Sequence, residues 1–311
     1  MTSFAFVFPG QGSQSVGMLD AWGNHPAVRA TLEEASAALH QDLGQLIREG
    51  PKERLERTTN TQPVMLVAGV ACYRAWIAET GLRPAAVAGH SLGEYSALVA
   101  AGVLSLADAL PLVRLRAQAM QEAVPVGAGG MAAVMGADAD LVRAVCAETT
   151  RAGAVVEAVN FNDPVQTVIA GHKAAVEAAG ALLKARGAKK VVPLAVSAPF
   201  HSSLMKPAAE HLKARLASVA LAAPLIPVVN NVDARTETEP EAIRDALYRQ
   251  AFGAVRWVEV VLAMRARGVS HIVECGPGKV LSRLVKRIDD GAVGVAMFDP
   301  PSLAEVKGLF T

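Results

Sequence analysis

The most constraining stretch of this chain is a short apolar run, residues 85–88, that passes straight into Gly89-His90-Ser91-Leu92-Gly93. Small and apolar residues of helical character, 96–101, follow it. A strand that becomes a helix within a few residues crowds its own backbone, so glycine is needed two places to either side of the turn. The strained turn lifts the Ser91 hydroxyl clear of the sheet. It also leaves the Leu92 N–H free to face an oxyanion, at the positive end of the helix dipole. The same five residues would also suit a tight turn with a structural serine, but the strand before and helix after favour a nucleophile.

The rest of the chain is read around that unit. Phe4–Phe8 is a continuous apolar run that stops at Pro9-Gly10-Gln11-Gly12, as expected of a central strand and its loop. Helical patterns cover 27–40 and 42–49. A longer helix is expected from about Thr61, with Pro63 in its first turn, to Gly81. Ser105-Leu106-Ala107-Asp108 reads as a capping-box variant opening a helix to about Val124. Its apolar stripe is Leu106, Leu110, Val113, Ala117, Met120 and Val124, with Arg114 and Arg116 flanking it about equally on opposite sides.

At Pro125-Val126-Gly127-Ala128-Gly129-Gly130 the pattern changes. Residues 131–193 read as strand, helix, strand, strand, helix, strand, the βαββαβ order of a ferredoxin-like unit. After Pro199 the larger alternation resumes, with a helix over 203–219, a strand over 227–230, two helical stretches in 240–268, a strand over 271–274 and a final helix to Ile288. The expected architecture is α/β: a large α/β-hydrolase-like domain with a parallel sheet, residues 1–126 and 197–311, interrupted by a small ferredoxin-like domain, 127–196.

Charge narrows the function. Thirty Lys and Arg against twenty-nine Asp and Glu, a formal charge of +1, leave no basic excess of the kind nucleic acid or an anionic membrane surface selects. Cys72, Cys146 and Cys275 are widely spaced and odd in number, so no disulfide framework is expected and a reducing compartment is the simpler reading. The seven histidines form no HExxH or paired Cys/His cluster, so no metal is expected. Gly10 and Gly12 lack the third glycine of a dinucleotide loop, because Ser15 stands there. The start has no basic region and no run reaches the ~18 apolar residues of a membrane span, so a soluble, cytoplasmic protein is expected.

A serine hydroxyl is a weak nucleophile until a base takes its proton. His201, in Ser197-Ala198-Pro199-Phe200-His201-Ser202, sits at a loop-to-helix junction where a side chain tends to be held. His90 adjoins Ser91, but neighbours at such a turn point different ways. Sequence spacing alone does not choose between the histidines, nor between Arg114 and Arg116.

Read in order, Phe8-Pro9-Gly10-Gln11-Gly12-Ser13-Gln14, Thr61-Gln62-Pro63, Gly89 to Tyr95, Asn160-Phe161-Asn162, His201 and Glu274-Cys275-Gly276-Pro277-Gly278 resemble the malonyl-CoA:acyl carrier protein transacylases of bacterial type II fatty acid synthesis. The likeness runs from Phe4 to Ile288 and is shared with the acyltransferase domains of polyketide synthases. It implies that Ser91 is acylated, with His201 as general base and then acid. Gln11 and the Leu92 N–H would form the oxyanion hole, Arg116 would bind the malonate carboxylate, and the Gln250 carbonyl would orient the histidine. Gln62 and Asn160 match positions near the cleft.

No acid matches the third member of a hydrolase triad, which fits a family that uses a serine–histidine dyad. Phe200, just before the histidine, resembles the malonyl-selective polyketide domains. The implied partners are malonyl-CoA and phosphopantetheinylated acyl carrier protein, with no cofactor and a monomeric enzyme. Transfer of methylmalonyl or another acyl group, and a serine thioesterase, are the competing readings.

Overall fold

The apolar run at the start forms β1 (Phe4–Phe8), buried along its whole length in this computed structural model, which describes residues 3–311. Met1 and Thr2, at the start of the expected large domain, lie outside the described residues. The chain then makes a 3-10 turn at Asp20–Trp22 and the helices α1 (Pro26–Leu39), α2 (Leu43–Glu49), α3 (Lys52–Leu55) and α4 (Thr58–Thr80). It continues through β2 (Ala86–Gly89), α5 (Gly93–Ala100) and α6 (Leu106–Glu122).

A second group follows: β3 (Gly129–Met135), α7 (Ala139–Thr149), β4 (Val156–Asp163), β5 (Gln166–His172), α8 (Lys173–Ala185) and β6 (Lys190–Pro193). A 3-10 turn at Ser203–Met205 then leads into α9 (Lys206–Leu216), β7 (Val228–Val229), α10 (Pro240–Phe252) and α11 (Trp257–Ala266). The chain closes with β8 (His271–Cys275), α12 (Leu281–Ile288), β9 (Val293–Met297) and α13 (Pro300–Gly308).

Five strands form one parallel sheet in the order β7-β2-β1-β8-β9, with β1 at its centre. Alternation along β1 divides its faces. Phe4, Phe6 and Phe8 enter the core built with Val64, Met65, Leu66, Leu110, Val113 and Leu212 from α4, α6 and α9. Ala5 and Val7 meet Trp257, Val260, Val261, Leu284 and Val285 of α11 and α12. Cover on both faces is why β1 reads as an unbroken apolar run.

The remaining strands form an antiparallel sheet in the order β4-β5-β3-β6, the ferredoxin-like arrangement expected from the βαββαβ pattern. Ala132, Val134, Val156 and Ile169 pack under α7 and α8, against Val142, Val145, Ala179 and Leu183. The opposite face, with Met131, Ala133, Val159, Val168 and Ala170, joins the core of the large sheet. Val255 ties the two together, donating its N–H to the Val159 carbonyl at 2.8 Å and accepting from the Phe161 N–H at 2.9 Å.

Three sequence expectations are corrected. α4 begins at Thr58, not Thr61, so Pro63 lies inside the helix rather than in its first turn. Arg57 precedes the helix without a side-chain cap, so nothing local marks this start. The helix expected over 203–219 is a 3-10 turn followed by α9, ending at Leu216. α12 is not the last element, since β9 adds a fifth strand beside β8 and α13 follows it. Among the described residues no helix is long and apolar enough to cross a membrane, and no three His, Cys, Asp or Glu cluster as a metal site would need.

Candidate active site

Ligands of open parallel sheets bind outside the carboxyl ends of the strands. Here the segments after β1, β2 and β7 leave that edge, carrying Gln11, Ser91 and Asn231. The turn after β2 is as tight as its glycines require. A Cβ on Gly89 would lie 1.9 Å from the Gly93 carbonyl carbon, and one on Gly93 would lie 2.0 Å from the Phe8 carbonyl oxygen. Ser91 itself takes a left-handed conformation, φ +53°, which costs a non-glycine residue free energy and persists only where surroundings fix it.

His201 is the histidine the fold delivers. Its Nε2 lies 2.6 Å from Ser91 Oγ. Its Nδ1 faces two carbonyl oxygens, Gln250 at 3.0 Å and Gly253 at 3.2 Å. Carbonyls only accept, so Nδ1 carries the proton and Nε2 presents its lone pair to the serine hydroxyl. Burial, then the nearby Arg116 charge and His90, push the His201 pKa down to about 3, against the pull of those two carbonyl bonds. The ring is therefore a neutral base at physiological pH. His90 points elsewhere, with its Nε2 2.9 Å from Asn162 Oδ1.

The pair of arginines that helix geometry left equal is separated by burial. Arg114 is half-buried and donates to Gln41 Oε1 at 2.7 Å, away from the pocket. Arg116 is 2% exposed and points into the site. One Nη donates to Gln62 Oε1 at 2.7 Å, and the other to Ser91 Oγ at 3.2 Å and Gln250 Oε1 at 3.0 Å. The Tyr95 ring lies 5.5 Å from the guanidinium carbon. Among the described residues Arg116 forms no ion pair, and its Nε is buried without a partner. A desolvated guanidinium without a carboxylate is a costly arrangement that an incoming anion relieves.

These groups share a pocket of about 130 Å³ with Leu92, Met120, Met131, Asn160, Leu194, Val196 and Phe200. That is well below the ~300–1,000 Å³ of sites for drug-sized ligands and suits a short acyl group. Gln11 lies at its exposed rim, with Nε2 only 3.5 Å from Thr58 Oγ1. The Leu92 N–H meets no acceptor among the described residues. Asn160 reaches the pocket where a bulge breaks the pairing of β4 with β5, and its Oδ1 is buried without a partner. Ser91, His201, Arg116, Gln11, Leu92, Gln62 and Asn160 thus line one pocket, and Gln250 contacts the first three of them.

Three contributions were not read from the sequence. Asn231, fully buried, accepts the Ser91 N–H on Oδ1 at 2.7 Å and donates Nδ2 to the Gly89 carbonyl at 2.7 Å. Glu94, buried at the start of α5, accepts from the Asn231 N–H at 2.9 Å and from Gln250 Nε2 at 3.1 Å. Burial raises its carboxyl to about 7, against the pull of those two donors and of Arg116. Gln250, matched only for its carbonyl, also uses its side chain, which contacts Ser91 O, Glu94 and Arg116. The buried acid thus supports Gln250 and Asn231 and does not touch the histidine.

Comparison with known proteins places this geometry. Residues 5–294 match the family described as the acyl transferase domain. The malonyl CoA-acyl carrier protein transacylase of Escherichia coli K12 is 55% identical over 305 residues, covering 98% of each chain. The acyl-carrier-protein S-malonyltransferase structure from Burkholderia pseudomallei 1710b superposes with a TM-score of 0.97 at 62% identity, covering 99% of this chain and 100% of that one. A malonyl transacylase solved in complex with its holo type II polyketide acyl carrier protein gives a TM-score of 0.97 at 48% identity, covering 99% and 100% of the two chains.

Proposed function

This chain belongs to the acyl transferase domain family, and on that premise we propose that it moves a malonyl group from malonyl-CoA to the phosphopantetheine thiol of acyl carrier protein through an ester on Ser91. In the first half-reaction Ser91 Oγ attacks the thioester carbonyl as His201 Nε2 takes its proton. The Leu92 N–H and the Gln11 amide donate to the oxyanion that forms. Collapse breaks the carbon–sulfur bond, and His201 returns the proton to the departing CoA sulfur. In the second half the carrier thiol gives its proton to His201 and attacks the ester. The carbon–Oγ bond then breaks and Ser91 recovers its proton.

Arg116 carries this reading. Its guanidinium sits 3.2 Å from Ser91 Oγ with no carboxylate of its own, where the free acid of a malonyl ester would lie. Bidentate pairing there would stabilise malonyl, while an acetyl group would leave the buried charge unmatched. Gln62 holds the guanidinium from the other side, and Asn160, with its unpartnered oxygen, lines the same space.

The test is competition of malonyl-, methylmalonyl- and acetyl-CoA, with the acylated peptide mapped by mass spectrometry. Wild type should carry malonyl on Ser91 in preference to the other two. Arg116→Ala should lower malonyl transfer by about 10²-fold and erase the preference over acetyl. An unchanged preference in that variant would remove Arg116 from the role of carboxylate anchor, and a methylmalonyl preference in wild type would reassign the substrate.

A further inference from the structure

Ser91 stands in a conformation that L residues avoid, in a turn that Gly89 and Gly93 make possible. The grip comes from Asn231, 140 residues away in the chain, whose amide spans the turn by taking the Ser91 N–H and giving to the Gly89 carbonyl. One partner can only donate and the other only accept, so the amide has a single satisfactory orientation. The backbone N–H of Asn231 is fixed in turn by Glu94 Oε2, at 2.9 Å.

The same carboxylate oxygen takes a hydrogen of Gln250 Nε2, whose other contact is the Ser91 carbonyl at 2.8 Å. With both of its N–H groups so engaged, Gln250 has its Oε1 turned towards the Arg116 Nη, at 3.0 Å. Loss of the Glu94 oxygen would leave one Gln250 N–H without its acceptor and loosen the amide whose Oε1 meets the guanidinium.

We infer that Glu94 and Asn231 are positioning residues with separable tasks: Asn231 holds the nucleophile turn in its left-handed form, and Glu94, through Gln250, aims Arg116 at the substrate carboxylate. The Glu94 half rests on the malonyl reading above, whereas the Asn231 half requires only that Ser91 be the nucleophile.

Two reactions separate the tasks: malonyl transfer from malonyl-CoA, and acylation of Ser91 by p-nitrophenyl acetate, which has no carboxylate to anchor. Asn231→Ala should slow both reactions alike, by about 10²-fold. Glu94→Met should raise the KM for malonyl-CoA about tenfold or more while slowing the acetate ester less than about threefold. Glu94→Gln, which can keep an oxygen facing Asn231 and Gln250, should recover most of the malonyl KM. Thermal melts of each variant correct both rates for the folded fraction, which cannot alter their ratio.

Equal losses on the two substrates in Glu94→Met, or no recovery in Glu94→Gln, would overturn the aiming role. Rates within twofold of wild type in Asn231→Ala would overturn the turn-holding role. If wild type forms no malonyl ester at all, the proposed function fails together with the Glu94 half. The acetate ester rates would still decide the Asn231 half.

Discussion

The two turns that carry Ser91 and His201 differ in how much of their hold is written locally. Ser91 and His201 both stand at positive φ, +53° and +65°, and their side chains meet at 2.6 Å. The serine turn requires glycine at positions 89 and 93, where a Cβ would strike the Gly93 and Phe8 backbone, and Asn231 then bonds across it. The histidine turn has no glycine close to it in sequence. It is held by hydrogen bonds: Ser202 Oγ to the Pro199 carbonyl at 2.7 Å, and the ring Nδ1 to carbonyls some fifty residues ahead. A turn that the backbone demands leaves a local signature in the sequence, and a turn that tertiary contacts impose does not.

Breaking each side should therefore give different results. The largest effect is expected from His201→Ala, which removes the proposed base while leaving the serine turn intact. Malonyl transfer should fall on the order of 10⁴-fold or more in single-turnover assays. Gly89→Ala strikes the other turn by sterics. Its Cβ has nowhere to go, so the loss should appear as stability, roughly 3 kcal/mol or more in a denaturant melt, and not only as rate. Ser202→Ala removes one buried hydrogen bond from the histidine turn, with an expected cost of about 1–2 kcal/mol. If Ser202→Ala proved as damaging as Gly89→Ala, the contrast between the two turns would collapse.

The smallest effect is one of pH. Since burial first, and the Arg116 charge next, keep the His201 pKa near 3, kcat/KM should show no fall as pH drops through 6.5, where an ordinary histidine protonates. Stability behaves otherwise. The unfolded chain takes up a proton on this histidine near 6.5 and the folded protein does not, so this contribution is present above 6.5 and is lost as pH falls towards 3. Acid inactivation should track unfolding measured by circular dichroism. A kinetic pKa near 6.5 in the still-folded Glu94→Gln variant, which lacks the other group titrating in that range, would contradict the neutral, buried base.

The contrast also explains what was legible beforehand. The glycines around Ser91, the buried run of β1 and the βαββαβ order each impose a short-range pattern, and each could be read. β9 could not, because Val293-Gly294-Val295-Ala296-Met297 is short and two of its five residues are small. The helix after it did carry a signal, an Asp299–Ser302 capping box with prolines in its first turn. Glu94 reads as an acid beside a helix N-terminus, an ordinary dipole partner, and nothing local shows that it is buried. Asn231 likewise reads as turn chemistry after a strand. Helix geometry could not separate Arg116 from Arg114; only the resemblance did, because what packs over α6 is a property of the fold and not of the helix.

The central claim is that the ester on Ser91 is handed to a thiol. Wild type loaded with malonyl-CoA, freed of excess substrate and followed by intact mass should keep its malonyl group in buffer. It should lose that group rapidly to holo-acyl carrier protein, with malonyl appearing on the carrier. Release to water at a comparable rate without any thiol would make the enzyme a hydrolase and contradict the account.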